Sequence, residues 1–144
     1  MRDGISNIQV VKAAQQTLSG VTPNYSQAFD VQGFGSAAID LHTGTVTDAG
    51  TVDGFTMTLQ HSDTLVGADF VAVPAGEFDG TASVLLDASD DIIAGSIGYL
   101  GNKRYVRAAF VGTTLTSAVV FAVGNMGKPH RAPVTRVGAS IATT

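Results

Sequence analysis

Residues Phe55-Thr56-Met57-Thr58-Leu59-Gln60 alternate strictly between apolar and polar side chains. A period of two marks a β-strand with one buried face, because successive side chains leave opposite sides of a pleated backbone. Working outward from this stretch, the same period recurs. Ala37, Ile39 and Leu41 alternate with Ala38, Asp40 and His42, and Val106, Ala108 and Phe110 alternate with Tyr105, Arg107 and Ala109. Val119, Phe121 and Val123 alternate with Ala118, Val120 and Ala122. Shorter strands are expected at 27–31, 69–73 and 81–86, with another inside 92–100.

The runs are separated by turn-forming residues. Gly33-Phe34-Gly35, Asp48-Ala49-Gly50, Asp53-Gly54, Asp79-Gly80 and Gly101-Asn102 supply positions that tolerate positive φ. Gly101-Asn102 falls between two strand-like runs and suggests a hairpin. Of the twelve acids, eleven are Asp and one is Glu, which suits turns better than helices. Seven to nine short strands at this spacing argue for a β-sandwich or barrel; we expect an all-β fold, a single antiparallel β-sandwich, with the jelly roll as one form open to it. The one helix candidate is 8–18, which reads equally well as an extended arm.

At 144 residues the chain has the length of one domain. We expect an N-terminal arm over 1–25, the β-sandwich over 26–124 and a C-terminal arm over 125–144. Both ends lack clean alternation and contain Pro23, Pro129 and Pro133. A Gly-, Pro- and Arg-containing tail cannot bury enough of itself to fold alone, so its order must come from contact.

Charge is scarce and segregated. Only 14% of residues are charged, against about 25% in ordinary soluble domains, and the mean hydropathy is +0.25. Ala, Gly, Ser and Thr fill the deficit and make a neutral surface that desolvates cheaply, which favours assembly. Between positions 13 and 102 there are eleven acids and no Lys or Arg; from 103 to 144 there are six basic residues and no acid. Complementary patches of this kind steer association between partners. The same pattern results if the basic strands fold back on the acidic ones within one domain, and the sequence leaves both readings open.

Few chemistries fit. There is no Cys, which excludes disulfides, thiol nucleophiles and thiolate metal sites. No apolar run approaches the ~20 residues of a membrane span, and Met1–Asn7 lacks the apolar core of a signal peptide. His42 and His61 fall on expected outward faces or strand ends, and His130 lies in the Pro-rich tail. No HExxH spacing or GxSxG elbow is present, so neither a zinc site nor a serine hydrolase is indicated. Asp87, Asp90 and Asp91 lack the EF-hand pattern and read as an acidic turn. We expect no enzyme activity and no cofactor. With one basic cluster, a pI near 5.0 and no Trp, the chain is poorly equipped for nucleic acid or glycan, and a membrane partner is not expected.

That basic cluster carries a resemblance. Gly98-Tyr99-Leu100-Gly101-Asn102-Lys103-Arg104-Tyr105-Val106-Arg107 resembles a GYxGxKRYVR signature of small proteins encoded in the head-gene clusters of tailed bacteriophages. Leu59-Gln60-His61-Ser62-Asp63 with Phe70-Val71-Ala72-Val73, and Pro129-His130-Arg131-Ala132-Pro133, are similar to further parts of the pattern. The similarity covers about residues 28 to 134.

The resemblance implies a virion structural protein on the capsid exterior, made in the host cytoplasm, that decorates or cements the head by bridging major capsid protein subunits. A head–tail connector or tail-completion component, and a virion-displayed host-surface binding module, are the alternatives. On this reading Ile5, Ile8, Val10 and Val11 of one arm, with Lys128, His130, Arg131 and Arg136 of the other, lie along the capsid or a neighbouring copy of the chain. Lys103, Arg104, Tyr105 and Arg107 meet acidic surface, and threefold capsid geometry suggests a homotrimer.

Overall fold

The computed structural model describes residues 7–47, 55–80, 83–86, 94–112 and 117–130. Among these residues eleven strands form two antiparallel sheets: β1 (Ile8–Ser19), β2 (Asn24–Tyr25), β3 (Phe29–Asp30), β4 (Phe34–Thr47), β5 (Phe55–Ser62), β6 (Val71–Ala72), β7 (Phe78–Asp79), β8 (Ser83–Leu86), β9 (Ala94–Tyr99), β10 (Tyr105–Val111) and β11 (Ser117–Pro129). A single 3-10 turn, Gly67–Asp69, is the only helical element among the described residues, so none is long and apolar enough to cross a membrane.

The first sheet runs β1-β11-β4-β9-β7. In the second, β10 and β5 form the centre; β2 and β3 lie end to end along the outer edge of β10, while β6 and β8 share the far edge of β5. Treating β2 and β3 as one broken strand and setting aside the two-residue β6 and β7, the eight principal strands run 1-8-3-6 in one sheet and 2-7-4-5 in the other. That is the connectivity of a jelly roll, two Greek keys folded into a sandwich.

The core lies between the sheets. Leu18, Ile39, Leu41, Val120, Met126 and Ile97 close it from the first sheet, and Met57, Leu59, Val106 and Phe110 from the second. Burying each such side chain contributes about 1.5–3 kcal/mol before entropy is charged against it. The alternations read from 37–41, 57–59 and 106–110 therefore face inward as expected. In β11 the order is reversed from what bulk suggests: Ala118, Val120 and Ala122 are buried, while Val119 and Phe121 face out.

The described parts of both expected arms contribute to the sheet. Residues 8–19 are neither helix nor free arm but β1, paired with β11 from Ile8↔Gly127 to Ser19↔Ser117. The alternation there is hidden by a bulge: the register shifts between Lys12 and Ala14, so the neighbours Ala13 and Ala14 are both buried. Residues 125–129 continue β11 against β4. Gly101-Asn102 does not close a hairpin either. It carries the chain from β9 in one sheet to β10 in the other, because each of those strands already has its neighbours. The segment 63–80 closes one side of the sandwich, with β6 on β5 and β7 on β9. On the other side the Gln27 amide donates to the Ala13 carbonyl at 2.7 Å.

Candidate functional site

Two regions stand out, the rim around 98–107 and the outer face of the first sheet. At the rim, period-two alternation from Met57 and Leu59 carries inward to His61, which is 5% exposed rather than outward-facing. Tyr99, also buried, ends β9 beside it, with the two rings edge to face at 5.8 Å. The Tyr99 hydroxyl accepts from the Lys103 amide at 2.9 Å and lies 3.0 Å from His61 Nδ1. Glu77 Oε2 stands 3.6 Å from the same nitrogen and is buried without a hydrogen bond. Burial pushes the Tyr99 pKa up; the Lys103 amide opposes this and the Glu77 charge adds to it. Gly101 is required here, since a Cβ would sit 2.5 Å from both Glu77 Oε2 and the Tyr99 hydroxyl. The cluster ties the ends of β5 and β9 to the rim, with the Glu77 side chain 38% exposed and Tyr99 at the border of an open cleft.

The basic residues of the rim are engaged within the molecule. Lys103 Nζ donates to Asp63 Oδ2 at 2.5 Å, which holds the Asp63 pKa below the usual carboxylate range. Arg104 gives Asp30 Oδ2 two bonds, from Nε at 3.0 Å and Nη2 at 2.8 Å, and this raises its own pKa. The Arg104 guanidinium is also 5.0 Å from the Tyr105 ring centre. Arg107 lies between the rings of Tyr25 and Phe70, 4.0 and 4.1 Å from their centres, with Nε donating to Gln60 Oε1 at 2.9 Å. Its Nη2 reaches the Gly67 carbonyl at 3.4 Å. Thus Asp30 and Asp63 from the acidic half meet Lys103 and Arg104 from the basic half, as the fold-back reading requires. Beside them, 31–37 and 99–104 border an open cleft of about 510 Å³ whose charged groups, Asp63, Lys103 and Arg104, are all in these ion pairs.

The outer sheet face differs. Ile8 and Val10 of β1 point outward and are 48% and 61% exposed, while Val11 turns inward against the core. Toward the other end of the same face, Val119 and Phe121 of β11 are 53% and 43% exposed. Register fixes the rows across this face: Val10, Asn125 and Ala38; Lys12, Val123 and Asp40; Gln15, Phe121 and His42. Asp40 accepts from Ser96 Oγ at 2.6 Å and from Asn125 Nδ2. Neither Lys12 nor Asp40 has an ion-pair partner among the described residues.

At the end of β11, Lys128 is exposed at φ 51° and packs over Gly35, and the His130 amide donates to the Gly33 carbonyl at 2.7 Å. Ile5, Arg131 and Arg136, and the acidic turn Asp87, Asp90 and Asp91, lie outside the described residues. The sequence therefore names residues of both regions. What it misses is Phe121 with Val119 as a surface pair, because nothing in the alternation of two apolar sets says which set faces in. It also misses His61, whose parity with Met57 and Leu59 carries the signal.

The chain matches no protein-family model, and no curated protein matches it. Among the described residues no group of three or more His, Cys, Asp or Glu is placed to hold a metal ion.

Proposed function

We propose that this protein is a non-enzymatic virion structural protein that decorates the bacteriophage head and bridges major capsid protein subunits. The observation that carries this reading is the outer face of the first sheet, where Ile8 and Val10 of β1 and Val119 and Phe121 of β11 expose apolar surface on two hydrogen-bonded strands. The two apolar pairs stand at opposite ends of the face with Val123 between them, and exposed apolar side chains on a rigid sheet cost little entropy to dock and suit a protein contact. The poverty of charge and the resemblance at 98–107 supply the context. A jelly roll hosts many functions, so the fold adds only analogy. Because Lys103, Arg104 and Arg107 are held internally, the contact is made through this face and the strand ends at Ile8 and Lys128 rather than through the rim cations.

Quantitative mass spectrometry of purified virions tests the reading through copy number. A ratio to the major capsid protein near one, or near a simple fraction, is expected. A few copies per particle would indicate a connector, and absence from the particle would overturn the proposal.

A further inference from the structure

From the pattern on the outer face of the first sheet, we infer that two copies of this chain pair through it, face to face, about a twofold axis lying along β11. This rests on the reading above that the face is an assembly surface and gives it to a second copy of the chain in place of the capsid, which the strand end at Lys128 then meets. The argument is one of self-complementarity. Lys12 on β1 and Asp40 on β4 flank Val123 on β11 in a single row, one strand away on either side. A twofold axis along β11 exchanges those two positions. Lys12 of one copy then stands opposite Asp40 of the other, twice per dimer, and Val10 stands opposite Ala38. Phe121 and Val123 lie on the axis and stack against their own images. Sheets pack face to face with strands within about 30° of one another, which this axis satisfies.

Neither charge has an ionic partner among the described residues, so the pairing supplies each with an opposite charge at the edge of an apolar strip. From Ile8 to Thr17 the face runs roughly 27 Å along the strands and about 14 Å across β1, β11 and β4, the three strands that overlap about this axis. Two copies therefore cover on the order of 800 Å², the size of a weak, transient contact, and the dimer is concentration-dependent.

Sedimentation equilibrium of the full chain over a wide concentration range tests this. The wild type should dimerise reversibly. Lys12→Asp should weaken the dimer about thirty-fold or more, because it sets two like-charge contacts in place of two attractive ones. Phe121→Ser should weaken it comparably, and K12D/D40K should restore it. A chain that is monomeric throughout, or a dimer indifferent to K12D and F121S, overturns the inference. Its failure is separable from failure of the decoration reading. A monomer present at high copy on heads removes only the dimer, and a dimer absent from heads removes only the decoration role.

Discussion

Arg107 shows how much one side chain can hold at this rim. It joins β2, β5, β10 and the 66–70 segment through two ring faces and a fork of donors. Lys carries the same charge but has neither the planar surface nor the fork. Arg107→Lys should therefore lower stability by about 1–2 kcal/mol, read from urea midpoints, as a half-buried cation–π pair implies. Tyr99 gives a pH dependence. Burial raises its folded pKa above the unfolded value, so its contribution is complete below about pH 10 and is lost as pH rises through the folded pKa. Tyr99→Phe removes the hydroxyl that serves Lys103 and His61, at a cost of about 1 kcal/mol. The gap between wild type and Y99F should be constant near neutrality and shrink on the alkaline side, measured by denaturant unfolding as the pH is raised. The sequence places Tyr99, Lys103, Arg104 and Arg107 in one motif, but it cannot say that their partners are Asp30, Asp63, Tyr25 and Phe70. Those contacts span between 37 and 82 positions of chain and exist only once the strands are ordered.

At the scale of the element, β1 is the informative strand. It borders the first sheet, one face on the core and the other on solvent, and both faces carry apolar residues. Leu18 is fully buried while Val10 is largely exposed on the opposite side. Leu18→Ala should cost about 2–4 kcal/mol in thermal or denaturant unfolding, whereas Val10→Thr should fall within about 0.5 kcal/mol of wild type. Equal effects would mean that the face assignment is wrong. The same strand shows where sequence reading stops. Middle strands such as β5 and β10 are legible because apolar and polar positions separate cleanly. In β1 a bulge shifts the phase at Ala13, and in β11 the inward set is mostly Ala and Gly, so the smaller residues face the core and the larger ones face water. Alternation detects a strand but cannot orient one whose two sets are both apolar.

For the whole molecule, the first and last described strands are hydrogen-bonded partners, so the native sheet cannot close until residues about 120 positions apart have met. A topology dominated by such pairings folds in milliseconds to seconds, and stopped-flow refolding should show this range; microsecond relaxation would contradict the pairing of β1 with β11. The all-β sandwich class is legible from the sequence because it depends on strand count and turn spacing. The crossing at Gly101-Asn102 is not, since a tight turn looks the same whether it joins partners or sheets. The antiparallel ladder also sets a mechanical property. Ile8 and Gly127 are opposite one another at one rim, so the outer ends of the first and last described strands lie side by side. A tether pulling on both ends loads the rungs singly and peels β1 from β11 like a zipper. A pull between Ser19 and Pro129 loads every rung of the same ladder in shear. The molecule is therefore soft to tension on its own tails and stiff to tension along its long strands.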